Sequence, residues 1–122
     1  MTDAFPLIIS VDDHVIEPPH LWRERLPARF RGEGPRVERS GVSRMGNVGG
    51  VYSWDEDPSG TPCDFWLFED LRYPMTRVMA AAGLPRHEVT VAPVTFEEMR
   101  PGCYDPAARL ADMDMAGIEA SL

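Results

Sequence analysis

With 122 residues, 43% of them hydrophobic and 26% charged, the chain has the size and composition of one ordinary globular domain. Its formal net charge of −8 argues against nucleic acid as a partner, because neutralising phosphates takes a basic face. No segment approaches the roughly 20 apolar residues of a membrane span, so a membrane is not expected as a partner either.

The opening MTDAFPLI has no basic stretch and no long apolar run, so no signal peptide is expected. Cys63 and Cys103 lie far apart and form no zinc-finger or redox spacing. These features fit a cytoplasmic protein with reduced thiols. The 12 prolines and 10 glycines predict many turns and few long elements.

In chain order, PLIISV (6–11) is a short apolar run rich in β-branched residues, the pattern of a strand buried on both faces. Pro18 and Pro19 stop its continuation. HLWRERLP (20–27) has room for one or two helical turns ending before Pro27. PRVERSG (35–41) and NVGGVYSW (47–54) are expected to form a hairpin, and DEDPSGTP (55–62) an exposed loop. CDFWLFED (63–70) reads as a strand. RYPMTRVMAAAG (72–83) reads as a short helix capped by Gly83, and HEVTVAPVTF as a strand segment interrupted by Pro93. The last element has the clearest signals. Asp105 is an N-cap candidate, Pro106 takes the first helical position, and Gly117 stands where a C-cap belongs. IEASL then begins a second strand.

Chemistry gathers at the end of the first apolar run, in SVDDHVIEPP. Along a strand, side chains alternate between faces, so Asp12 and His14 project together and Asp13 projects oppositely. A carboxylate and an imidazole on one face can share a divalent ion, with zinc, manganese or iron(II) suited to the mixed donors. Asp-x-His alone is a weak motif, and the alternative is a turn-capping Asp12 beside a surface His14. Position favours the metal reading, because functional groups collect at the C-terminal ends of strands in α/β folds.

The stretch IISVDDHVIEPPHLW resembles the opening of the amidohydrolase-related metal-dependent hydrolases, the branch containing aminocarboxymuconate semialdehyde decarboxylase and the resorcylate decarboxylases. FWLFED, the AAGLP segment and MRPGCYDPAARLADMDMAGIEASL also resemble this branch, while residues 32–62 do so weakly. The resemblance implies an α/β fold, the N-terminal fragment of a (β/α)8 TIM barrel. Residues 1–19 would hold strand one and the metal-ligand turn, 20–104 an inserted β-rich excursion, and 105–122 helix one and the start of strand two. Asp12 and His14 match the family's first-strand ligands, for zinc first and otherwise manganese or iron. Its remaining ligands, histidines of middle strands and an aspartate of the eighth, match nothing here.

The implied activity is hydrolysis or non-oxidative decarboxylation of a small carboxylated or aromatic substrate, with the chain inactive alone and its metal weakly held. The implied partners are the remainder of the barrel or further copies of the chain. The alternative is a non-catalytic binding or complementation module, or a truncation without function.

Other residues have competing readings. Glu17 could orient substrate or be a solvated loop carboxylate. Trp22, Trp54 and Trp66 are expected in the core before a substrate pocket. His20 and His87 are expected at the surface. Arg100 is expected to pair with Glu97 or Glu98 before binding a substrate carboxylate. Cys103 has no partnered base nearby in sequence, which disfavours a nucleophile.

Overall fold

A computed structural model describes residues 6–122 of the chain. The no-signal-peptide expectation rests partly on residues 1–5, which lie outside the described residues. Two compact units form: the chain up to Pro18 together with Pro101–Leu122, and Pro19–Arg100.

The larger unit is an antiparallel sheet. Its strands are β2 (Arg36–Val48), β3 (Val51–Glu56), β4 (Thr61–Phe68) and β5 (Leu71–Pro74), in the order β3-β2-β4-β5. A short helix, α1 (Leu21–Arg25), precedes it at the expected place. The 13-residue β2 serves both neighbours. Residues 36–42 pair with β4, residues 42–48 pair with β3, and the register shifts between Val42 and Arg44. At the β2–β3 turn, Gly49 and Gly50 both take positive φ, +59° and +85°, the backbone a tight two-residue hairpin requires. Gly41 is needed for another reason. A Cβ there would stand 2.1 Å from the Asp57 carbonyl, where the β3–β4 loop folds back on β2.

Alternation along β4 builds the core. Phe65 and Cys63 are fully buried and cluster with Val42, and the partly buried Met45, Trp54 and Leu67 pack on them. Trp54 tilts against Phe65, and the Arg72 guanidinium covers the Phe65 ring at 4.4 Å. Asp64, between Cys63 and Phe65, takes the opposite face. Residues 75–99 contain three short 3-10 turns rather than a helix and a strand. The backbones of Met75 and Val94 bond each other there, and Val94 also bonds Asp64 of β4.

The smaller unit holds β1 (Ile8–Ser10), α2 (Pro106–Ala116) and β6 (Ile118–Ser121). α2 carries its predicted caps. The Asp105 side chain accepts from the Ala108 N–H, Pro106 opens the helix, and Gly117 closes it in the left-handed conformation. β6 pairs in parallel with β1.

Three further expectations are corrected. The fold is not a (β/α)8 TIM barrel fragment with helix–strand alternation. It is mostly strand, in a curled antiparallel sheet, and only two α-helices, of five and eleven residues, occur among the described residues. The reason lies in residues 36–74, where strands follow one another through short turns and leave no room for intervening helices. Next, β1 is not buried on both faces: Ile8 and Ile9 are 50% and 52% exposed, because β6 is its only sheet neighbour among the described residues. Finally, 35–41 does not pair with 47–54 as a simple hairpin, since Arg36–Val42 is taken by β4. No helix among the described residues is long and apolar enough to cross a membrane.

Candidate metal-ligand pair

The candidate site lies in the smaller unit, where the chain leaves β1. After Ser10 the backbone bends and runs irregularly to the prolines. Asp12 Oδ1 and His14 Nε2 stand 3.2 Å apart, with side chains 92% and 88% exposed. Asp13 turns elsewhere. It accepts from Ser121 Oγ of β6 at 2.5 Å and pairs with Arg109 Nη2 of α2 at 2.8 Å. The Ser121 hydrogen bond foremost, with help from Ser10 and Arg109, holds the Asp13 carboxyl below its ordinary pKa. Asp13 thus ties the strand end to both other elements of the unit, and leaves Asp12 and His14 to each other.

The pair's chemistry fits a divalent ion. Two donors about 2.0–2.1 Å from a tetrahedral zinc stand about 3.3 Å apart, close to the observed separation. One hard oxygen and one imidazole nitrogen suit zinc, manganese or iron(II). The pair fits as two ligands of a site and does not complete one, since a catalytic zinc normally has three protein ligands. Among the described residues no group of three or more His, Cys, Asp or Glu side chains could hold a metal.

Glu17 is exposed, beyond the buried Ile16, whose N–H bonds the Cys103 carbonyl at 2.8 Å. His20 stands 3.9 Å from Glu24 and His87 3.8 Å from Glu88, both at the surface as expected. Cys103 is buried. Glu97 takes Arg39, and Glu98 closes a capping box on Thr95. Trp54 packs on the core and Trp66 meets Phe96 edge-on at 6.4 Å. Trp22, by contrast, lines an open groove in the larger unit, with Leu26, Phe30 and Phe68.

Sequence reasoning missed Arg109 and Ser121, the groups that fix Asp13. The parallel register placing Ser121 beside Ser10 would have pointed to Ser121. It also missed the most deeply placed ionic group, Asp64, whose side chain is 3% exposed. This carboxylate accepts from Arg39 Nε at 2.8 Å, Arg39 Nη2 at 3.0 Å and the Phe96 N–H at 2.8 Å. Arg39 also contacts Glu97, and the two carboxylates raise its pKa further. The arrangement is a satisfied clamp between β2, β4 and the 96–98 turn. Its donors and acceptors are occupied by one another, which gives it a structural use rather than a catalytic one. Cys63 is similarly inert, its thiol pushed up to about 11 by burial.

No protein-family model matches the chain, and no curated protein matches it.

Proposed function

We propose that the chain supplies Asp12 and His14 as ligands to the divalent-metal centre of an enzyme that hydrolyses or non-oxidatively decarboxylates a small carboxylated or aromatic substrate. The observation carrying this reading is the pair itself: an exposed carboxylate and imidazole 3.2 Å apart at a strand end. The reaction class rests on the resemblance of IISVDDHVIEPPHLW to the amidohydrolase-related hydrolases. Zinc is the first choice of metal. When bound, such an ion supplies Lewis acidity toward a water or carbonyl oxygen. Asp12 and His14 would hold and orient it, Asp13 anchors the strand end, and the exposed Glu17 would orient substrate. In this reading further ligands and the acid–base group come from a partner chain, and the chain by itself turns nothing over.

Cobalt(II) titration of the chain, followed by visible absorption, tests the ligand pair. Weak binding that is lost in both Asp12→Ala and His14→Ala is the expected result. Binding unchanged in the double variant removes the proposal. Metal-dependent turnover by the isolated chain, abolished by either substitution, would refute the claim that the chain is inactive alone.

A second reading is a complementation module that acts by association. The observation favouring it is the exposed apolar strand, with Leu7, Ile8, Ile9 and Val11 all at least half exposed. Light scattering on the native protein separates the readings: a stable complex with a second, different chain supports complementation, and a compact monomer speaks against it.

A further inference from the structure

The groove of the larger unit has a volume of about 740 Å³, within the range of small-molecule sites. Trp22, Phe30 and Phe68 supply its aromatic wall, and Phe30 and Phe68 remain 45% and 41% exposed. Neighbouring aromatic rings left in water mark a surface suited to a ligand.

Charge narrows the kind of ligand. Three ionisable residues line the groove: Glu33, Arg36 and Glu69. Arg36 is already answered, since its Nε donates to Glu38 at 2.9 Å. Glu33 and Glu69 are exposed carboxylates at the groove. Glu69 is held there by a turn in which it takes φ +50°, the one positive-φ non-glycine among the described residues. The aromatic wall already attracts positive charge, as the Arg29 guanidinium lies 4.7 Å from the Phe30 ring centre. Aromatic faces with carboxylates beside them are the chemistry that recognises alkylated ammonium groups.

We propose that this groove binds a small organic cation, an alkylated ammonium on an aromatic body. The charge sits between the Glu33 and Glu69 carboxylates, and the apolar body lies against Trp22 and Phe68. The volume is far larger than a bare ammonium group needs, which is why an aromatic body is assigned to the ligand. The site is independent of the metal-ligand reading.

The test is an NMR titration of the full chain with three probes: benzyltrimethylammonium, uncharged benzyl alcohol, and phenylacetate. The expected result is saturable shifts at the Trp22 indole N–H and the Phe68 and Glu69 amides. The cation should bind roughly fivefold or more tighter than the alcohol, and the anion weakest, as two solvent-exposed charge contacts allow. The Glu33→Gln, Glu69→Gln double variant should bring the cation down to the affinity of the alcohol. Equal binding of cation and alcohol by the native chain overturns the proposal. So does tighter binding of phenylacetate, or no saturable shift at these residues. Because the three probes are compared on the native chain, the outcome does not depend on the variant's folding.

Discussion

In the Pro19–Arg100 unit, β4 alternates its apolar side chains into a core in which Cys63 and Phe65 are fully buried. In the other unit, β1 is just as apolar and leaves Ile8 and Ile9 at half exposure or more. The residue types are similar, so composition does not explain the difference. Neighbours do. β4 has a strand on each side and packed side chains on its faces, whereas among the described residues β1 has β6 alone. An apolar strand is buried only when other elements reach its faces. The polar groups follow the same division. Asp64 is buried and fully answered by Arg39 and the Phe96 N–H, while Asp12 and His14 stand in solvent with only each other. Burial with every bond made indicates structure, and exposure with donors left over leaves room for a ligand.

The sharpest way to break this comparison is to truncate one apolar residue in each unit. Phe65→Ala is expected to cost about 3–5 kcal/mol, because it empties the centre of the core. Ile9→Ala is expected to cost about 0.5 kcal/mol, as for a surface substitution. Chemical denaturation of the two variants measures both. A large loss at Ile9 would show that β1 is covered in solution.

The ionic groups give the next contrast. Asp64→Asn presents an amide donor to the Phe96 N–H and Arg39 donors, and is expected to lose about 2–3 kcal/mol. Asp12→Asn, at an exposed position, should stay within about 0.5 kcal/mol while weakening cobalt(II) binding. Equal stability losses at the two positions would remove the division between structural and functional carboxylates.

Legibility in the sequence followed the range of the interactions. α2 was readable because its signals are local: Asp105 bonds three residues on, and Gly117 ends the helix by its own backbone freedom. The strand read at 63–70 from its apolar and aromatic residues is β4, two residues earlier at each end, but its partner was not readable. Arg36–Val42 lies nearer in sequence to Val51–Glu56 than to β4 and still pairs with β4, a choice set by the turn at Asp57–Gly60 and the bend in β2. The helix expected over 72–83 fails at its start because β4 offers residues 72–74 an edge, and pairing overrides a weak local preference. The barrel expectation came from the chain's two ends and was overturned by its middle, where hairpin connections dictate an antiparallel sheet. At the site, Asp12 and His14 meet and Asp13 turns elsewhere, but not by strand alternation, because the strand ends at Ser10 and residues 11–14 run irregularly. Arg109 and Ser121 stayed hidden because they lie more than ninety residues away and meet Asp13 only through the β1–β6 pairing.

Titration sharpens the comparison more gently. The Cys63 thiol is pushed up to about 11 by burial, so the folded state favours its neutral form. Its contribution to stability is complete below the ordinary thiol value near 9 and is lost as pH rises through about 11. Cys63→Ser should flatten that alkaline fall in stability measured by urea denaturation. Alkylation of native protein at pH 8 should leave Cys63 unmodified, as mass spectrometry of the digested product would show.

Asp13 should give the smallest effect, and one of opposite sign. Its carboxyl is held below the ordinary value by Ser121 first, then Ser10 and Arg109, so the folded state favours the charged form. The stabilisation is present above the unfolded carboxyl value near 3.8 and is lost as pH falls through the lower folded value. Asp13→Asn should therefore be less stable than the native chain at pH 6, and the gap should close toward pH 2. The same carboxylate joins β1, α2 and β6, so its protonation should also loosen the strand end that carries Asp12 and His14. Amide exchange of Ile8 and Leu122, whose N–H groups bond Gly117 and Ser10 across the β1–β6 pair, reads that loosening directly. Lower protection at acid pH in the native chain, each rate taken against the intrinsic rate at that pH, and matched at neutral pH by Asp13→Asn, would establish Asp13 as the tether. Protection that is insensitive to both would assign the tether to backbone pairing alone.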